Sequence, residues 1–531
     1  MSAHFKWYPA SEEVVVPWNA RYSFPSQSNK AVKITPRIPP KNGAVFAPGQ
    51  VMRLEFPAQG YVNPLNTTLE FDVTLYGTGG STEFVRFQNN IQSIFSRVRL
   101  LYGATPLEDM INYNVIVRNL TEWTATNQHM TMDQTSIAEG IGGVVVGTDS
   151  TGIQGLVNVR QKYIQGKSVS ATSPGTVFTN GASLLNVPTA STGAIPAGVT
   201  GNGVANAVTR RYQVNFALGL FTQDKLIPAK FMASQLAIEI TLEQASACIF
   251  ATAAGGVNPT YGVGNVNLIP EILEFDASYD SMFLAGLRDG GVPLKFSSWH
   301  TFIFSSGTAA NINLLVQERS RSVKALFAVQ RRSQALFSRD TGATFFDTSN
   351  DGVSSLQTYQ FRIGGRYFPA APVQCSANVG SAISNGGAEA FVELTKALNI
   401  VGDYRLSSNC NTIKWALQNA GGILQDLDYS PRLTSIGTDG VPAIAASERD
   451  ASSFCGELGS QCFAMAVDLE TSNGIEISGL NAEEQSDIAL IANWAKGQVT
   501  GSSAVPSSLE VYSYYDAMIV LRENNVLELI Q

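Results

Sequence analysis

Histidine is nearly missing from this chain of 531 residues: only His4, His129 and His300 occur. A metal centre on one β-barrel needs two or three imidazoles close together. These three are scattered over an N-terminal arm, the stretch behind an early helix and a strand of the second half, so each reads as structural or superficial. No H-E-x-x-H and no G-x-S-x-G is present, and Gly166-Lys167-Ser168 fails as a phosphate loop because Gln161 stands where its first glycine is needed. The five cysteines, Cys248, Cys375, Cys410, Cys455 and Cys462, form no C-x-x-C and are odd in number. They indicate neither a zinc site nor a disulfide framework and read as buried reduced thiols of a protein made in cytosol.

Charge is sparse too, at 15% of residues, and the net charge of −8 argues against bulk nucleic-acid binding, which needs a basic face. No apolar run reaches the ~20 residues that span a bilayer. The N-terminus, "MSAHFKWYPASEEVVVPWNARYSF", has no unbroken apolar core of the kind a signal peptide carries. Six tryptophans occur, two of them in the arm, and none clusters with carboxylates as a carbohydrate site would require. No catalytic, cofactor-binding or metal-binding residue is assigned, and no cofactor is expected.

What the chain has is alternation. In "SQLAIEITLE", Leu236, Ile238, Ile240 and Leu242 point one way while Ala237, Glu239, Thr241 and Glu243 point the other, the period of a half-buried strand. "TTLEFDVTLYG", "SIFSRVRLLYG", "WHTFIFSSG" and "SVKALFAVQ" behave alike, and 47 glycines and 22 prolines supply turns between them. Helices are few. Thr105-Pro106-Leu107-Glu108 has the form of a capping box, followed by Met110, Tyr113, Val117 and Leu120 at helical spacing. Glu108-Asp109 would then lie in a first turn, where the helix dipole explains two acids without invoking glycoside hydrolysis. A second helix is expected in "GGAEAFVELTKALN", with Phe391, Leu394 and Leu398 on one face.

The chain also repeats itself. "LEFDASYDSMFL" from Leu273 resembles "LEVYSYYDAMIV" from Leu509, "SQLAIEI" lies over "SDIALIA" at 486–492, Phe216-Ala217-Leu218 over Phe463-Ala464-Met465, and the strand 93–102 over 322–330. Four correspondences in one order imply two copies of one all-β domain, the repeated string being the last strand of each. An eight-stranded jelly roll fits that size and loop pattern. The expected division is an extended Pro-rich basic arm over 1–44, a first jelly roll over 45–289 and a second over 290–531.

Three further stretches bear on assembly. Residues 1–43 carry six prolines and six Lys/Arg against two Glu, with no sustained period. They read equally as an anchor onto a neighbour, membrane or genome and as a strap across the protein's own body. Residues 140–209 hold four charges in seventy, Asp149, Arg160, Lys162 and Lys167. That composition suits a long outer loop packed on a symmetry mate, the alternative being a plain flexible loop. "ERSRSVKALFAVQRRSQALFSR" offers Arg319, Arg321, Lys324, Arg331, Arg332 and Arg339, either a basic edge for an acidic neighbour or plain solvated strand ends.

"FQNNIQSIFSRVRLLYGATPLEDMINYNVIVRNLTE", "LFTQDKLIPAKFMASQLAIEITLE" and the closing "LEVYSYYDAMIVL" together resemble the double jelly-roll major capsid proteins of polinton-like viruses and virophages. More distantly they are similar to those of the nucleocytoplasmic large DNA viruses. The resemblance runs from about residue 50 onward, and its most specific part is a strand, then Lys-x-x-Pro, then an alternating strand. It implies an all-β structural protein, not an enzyme, forming homotrimers of pseudo-hexagonal outline that tile an icosahedral shell around a DNA genome. The implied partners are neighbouring capsomers, penton and minor capsid proteins, with inner-membrane or genome contact through the arm. The implied location is the virion, the protein being made in host cytoplasm or assembled at a viral factory or nucleus. Two other readings remain at this stage: a penton or spike, which the doubled plan disfavours, and a carbohydrate-binding or carbohydrate-active β-sandwich.

Overall fold

The structure is a computed structural model that describes residues 31–76, 85–87, 91–124, 144–148, 154–158, 207–251, 260–288, 290–305, 311–332, 356–375, 388–400, 435–436, 442–443, 463–470, 478–483, 487–494, 506–522 and 527–531. Roll one contains β1 (Ala31–Ile34), β2 (Val45–Phe46), β3 (Val51–Glu55), β4 (Tyr61–Tyr76), β5 (Phe95–Tyr102), β6 (Thr105–Ile111), α1 (Tyr113–Thr124), β7 (Ala207–Asn215), α2 (Gly219–Thr222), β8 (Leu236–Leu242) and β9 (Thr260–Phe275). The connecting helix α3 (Ala277–Arg288) leads to roll two. That roll contains β10 (Val292–Ser305), β11 (Asn311–Val316), β12 (Val323–Arg332), β13 (Leu356–Ile363), β14 (Arg366–Gln374), α4 (Ala388–Ala397), β15 (Met465–Asp468), β16 (Ile488–Trp494), β17 (Pro506–Leu521) and β18 (Leu527–Ile530).

Each roll is a five-stranded and a four-stranded antiparallel sheet packed face to face. The orders are β1-β9-β4-β7 and β3-β8-β5-β6 in roll one, and β10-β17-β12-β15 and β11-β16-β13-β14 in roll two, with β2 also on β9 and β18 also on β17. Adding eight to a roll-one label from β2 to β9 gives its counterpart in roll two. The period-2 alternation supplies the cores. Leu236, Ile238, Ile240 and Leu242 on β8 are each at most 2% exposed, and Ile488, Leu490 and Ala492 on β16 repeat that burial. The overlay of "SQLAIEI" on "SDIALIA" is thus a true equivalence.

Two of the other correspondences need correction. The string from Leu273 enters α3 at Ala277, whereas the string from Leu509 lies wholly inside β17. The final strands do correspond, but as Thr260–Phe275 and Pro506–Leu521. Asp276 ends β9 by accepting a hydrogen bond from the Ala277 amide and starting a helix. Likewise the strand around 93–102 is β5, whose counterpart is β13, not the 322–330 segment in β12.

The expected helix over Thr105–Leu120 begins only at Tyr113, and Thr105–Ile111 is strand. Gly103, at φ +60°, turns β5 back on itself through a two-residue hairpin, so Thr105 pairs with Tyr102 and Ile111 with Arg97. Pro106 is tolerated because β6 is an edge strand and the register shifts beside it, between Leu100 and Leu101. The second expected helix is present as α4.

Successive connections alternate between the two ends of each sandwich. At one end, the turn end, lie the hairpins 103–104 and 364–365 and the stretches 216–235 and 469–487. At the other, the loop end, depart and return the long connections 77–94, 112–206 and 243–259 of roll one and 333–355, 375–464 and 495–505 of roll two. The expected outer loop over 140–209 falls in this set and lies outside the described residues, apart from the ribbon Val144–Thr148 with Gln154–Asn158 and the start of β7 at Ala207. Of the arm, residues 1–30 lie outside the described residues. From Ala31 it crosses the protein's own body, pairing with β9 at Ile272–Phe275 and bridging Ile38 to Leu268.

Ile238 and Leu490 occupy the same position in the two rolls, both at 0% exposure. Truncating either to alanine should cost about 2–5 kcal/mol. In urea unfolding followed by circular dichroism, the two losses should add to within about 0.5 kcal/mol, since the sites share no partner.

Candidate assembly site: the junction of the two rolls

Edge strand β6 of roll one lies along edge strand β10 of roll two. Ser298 Oγ donates to Glu108 at 2.7 Å, and Thr301 Oγ1 donates to the Ile111 carbonyl at 2.9 Å. Both strands advance three residues between these contacts, so they run in the same direction. Each also runs from turn end to loop end. The rolls therefore stand side by side with the same end up.

Glu108 is the centre of the junction. Alternation along β6 turns its side chain inward, to 2% exposure, and turns Asp109 outward onto Arg97. Its carboxylate accepts the amides of Gly219 at 2.7 Å and Leu220 at 2.8 Å as well as the Ser298 hydroxyl. Burial pushes the carboxyl above its ordinary range, and the three donors oppose that rise without cancelling it. Glu108 and Asp109 are therefore neither a paired-acid site nor first-turn helix acids. The first is a buried acceptor joining two domains, and the second is a surface ion pair.

Gly219 permits the close approach. A Cβ at this position would sit 2.0 Å from the Ser297 carbonyl oxygen, so no other residue fits. Above it, an aromatic run crosses the boundary: Trp123 from the end of α1 stacks on Phe327 at 5.6 Å, Phe327 meets Trp299 at 5.4 Å, and Trp299 meets Tyr514 at 4.6 Å. Such pairs add about 0.5–1.5 kcal/mol each beyond burial. At the turn end, α3 is held to roll one by Phe283 stacked on Phe231 at 5.1 Å and by Asp280, which takes the Tyr61 hydroxyl at 3.0 Å and the Lys230 ammonium.

The remaining candidates that fall among the described residues are absorbed structurally. His300 lies on β10 with Nδ1 3.2 Å from the Glu318 carboxylate and its ring 4.0 Å from that of Tyr515. Burial opposes ionisation of Glu318, but His300 and the Ser320 hydroxyl outweigh it and hold the carboxyl at about 2. His4 and His129 lie outside the described residues. The basic stretch is not a free edge where it is described: Arg321 pairs with Glu483, Lys324 with Glu470, and buried Arg331 with Glu510 at 2.6 Å. Arg339 lies outside the described residues. A cleft of about 730 Å³ opens between the rolls, lined in part by Lys295, Phe296, Arg321, Lys324 and Tyr514. Arg321 and Lys324 spend their charge on the acids just named. Cys248 and Cys375 are buried free thiols, both pushed up by desolvation, while Cys410, Cys455 and Cys462 lie outside the described residues. Among the described residues no three His, Cys, Asp or Glu come together to hold a metal ion, and no helix is long and apolar enough to cross a membrane.

Sequence reasoning missed Glu108 because its four-residue context satisfies a helix cap equally well. The available signal was Tyr102-Gly103-Ala104-Thr105, a hairpin turn placed just before it.

Two expectations follow. Gly219→Ala should cost about 3 kcal/mol by overpacking, read as a lowered thermal midpoint. For Glu108, a raised folded pKa means its contribution to stability is complete below its unfolded value of ~4.3 and is lost as pH rises through the folded one. Urea midpoints measured against pH should show this decline in the native chain. Glu108→Gln, which cannot titrate and turns an NH₂ toward amide donors, should be less stable at acidic pH and lack the decline.

No protein-family profile matches the chain, and no curated protein matches it in sequence. Solved structures do match. The major capsid protein of Faustovirus superposes with a TM-score of 0.53 at 9% identity, covering 96% of this chain and 93% of that one. VP54 of PBCV-1, as fitted into a reconstruction of the virophage Sputnik, gives 0.51 at 9% identity over 96% and 99%. A quasi-atomic model of the PBCV-1 capsid gives 0.50 with the same identity and coverage. The two sandwiches of like topology, and their match to these proteins over nearly the whole of each chain, establish that this chain has the double jelly-roll fold of viral major capsid proteins.

Proposed function

We propose that the chain is a major capsid protein, a structural subunit without catalytic activity that self-associates into homotrimeric capsomers and tiles an icosahedral shell around a DNA genome. The observation that carries this is the junction: two rolls of one topology stand parallel, same end up, with the longest connections, 112–206 and 375–464, at one end. A tile needs lateral faces uniform enough to repeat and two ends that differ. A trimer of such chains presents six similar rolls, so three identical contacts do the packing of six.

On this reading the loop end faces outward and the turn end, where the arm enters at Ala31, faces the particle interior. Neighbouring capsomers, penton and minor capsid proteins are the partners, the arm meets an inner membrane or the genome, and the protein resides in the virion. Stability of the capsomer rests on apolar interfaces between chains, and contacts between capsomers are weaker and more polar.

The test is native mass by light scattering behind a sizing column, for the full chain and for a chain lacking residues 1–30. That truncation spares β1 and its pairing with β9. A stable species of three times the chain mass is expected for both, the full chain being 56.8 kDa, with only the full chain joining larger assemblies. A strict monomer at every concentration would overturn the reading, and glycan binding would then become the activity to examine.

A further inference from the structure

The junction inside the chain shows what each roll can do to the next. One side is the edge strand β6, where Leu107, Glu108 and Met110 are buried; the other is the edge strand β10, where Leu294, Phe296, Ser298 and Trp299 are buried. Each roll owns both kinds of edge. The counterpart of β6 is β14, and the counterpart of β10 is the strap that carries β1 and β2. Among the described residues, no strand pairs with the outer edge of either counterpart.

Their exposure is the reverse of the junction's. On β14, Arg366, Tyr367, Ala370, Ala371 and Pro372 are exposed, Phe368 and Pro369 are half-buried, and Val373 alone faces the core. On the strap, no residue from Ala31 to Val45 is buried, and Val32 is 61% and Val45 43% exposed. Open strand edges rich in apolar residues are sites of association unless something blocks them.

The chemistry of the two strips matches. Counting from the hairpin turn, the place that Glu108 holds on β6 falls at Phe368-Pro369 on β14, and from Tyr367 to Pro372 the strip carries no charge. A partner for it must be apolar. The strap offers Val32, Ile34, Pro36, Ile38 and Pro39. Its cations are already satisfied within the chain, Lys33 by Glu271, Arg37 by Glu70 and Lys41 by Glu55. Bringing the strips together strands no charge on either side.

We propose that β14 of one chain packs against the β1–β2 strap of a second copy, repeating between chains the β6–β10 contact made within each. The contact is heterologous, so each chain gives one strip and receives the other, and a closing rotation yields a ring. The carboxylate lock is kept for the contact inside the chain, and the contact between chains is apolar. The inference rests on the capsomer reading and assigns its interface.

Tyr367→Glu and Val32→Glu, in separate chains, each place a charge in one strip at an exposed position where folding tolerates it, as an unchanged far-UV circular dichroism spectrum would attest. Each variant alone is expected to run as a monomer under conditions where the native chain is trimeric. Mixed one to one, they leave one pair of intact strips, and a heterodimer that grows no further should appear. Trimers persisting in both variants, or a mixture that stays monomeric, would overturn the proposed pairing while leaving a trimeric native chain to support the capsomer. A native chain that never exceeds a monomer would remove the capsomer reading itself. Should one variant misfold, the mass of the other alone decides, since either strip is required.

Discussion

Everything about the relation of the two rolls depends on one buried carboxylate. Removing an ionisable group from water costs several kcal/mol, and well-aimed donors return part of it. Glu108 finds three, from Gly219, Leu220 and Ser298. Hydrogen bonds to a charged group contribute about 1.5–3 kcal/mol each, and their loss leaves the penalty uncompensated. The donors come from two rolls and two separate loops or strands, so a small rotation of one roll would break at least one of them. Apolar contact between two edges would tolerate sliding. The carboxylate does not, and the short reach enforced by Gly219 leaves it a single partner geometry.

Around that fixed point the forces are ordinary ones. Alternating apolar residues fill both sandwiches, and the Trp123–Phe327–Trp299–Tyr514 run helps join them into one continuous apolar core. Ion pairs occur both inside a roll, where Arg331 and Glu510 are buried together, and at its rim, where Arg97 meets Asp109. The result is a stiff double unit whose cations are largely committed internally, which leaves apolar and shape complementarity to govern what it meets.

How much of this the sequence disclosed depended on the range of the signal. Period-2 strands are local, and "SQLAIEI" over "SDIALIA" identified equivalent strands to the residue because each buries every second side chain on the same sandwich. The string from Leu273 misled for the converse reason. Its likeness to Leu509–Val520 is compositional, while the Asp276 cap, a matter of one side chain and one amide, switches it from strand to helix at Ala277. At Thr105-Pro106-Leu107-Glu108 two local readings were equally good, and the choice was made by residues more than a hundred positions away, Gly219 and Leu220. The basic stretch looked like a surface because its acids, Glu470, Glu483 and Glu510, are remote in sequence. Long-range polar partnership was the part that a single sequence could not display.

The alternation of connections has an evolutionary corollary. Because strands reverse direction at each step, material inserted between β4 and β5, β6 and β7, or their counterparts in roll two always emerges at the same end, and material there leaves every strand register and both lateral edges untouched. Such a chain can lengthen along one axis without altering its footprint. Lineages that share this plan are thereby free to diverge in bulk and surface chemistry at one pole while inheriting an unchanged rule for lying next to one another. That freedom is consistent with 9% identity to chains whose strands nonetheless superpose over almost their full length.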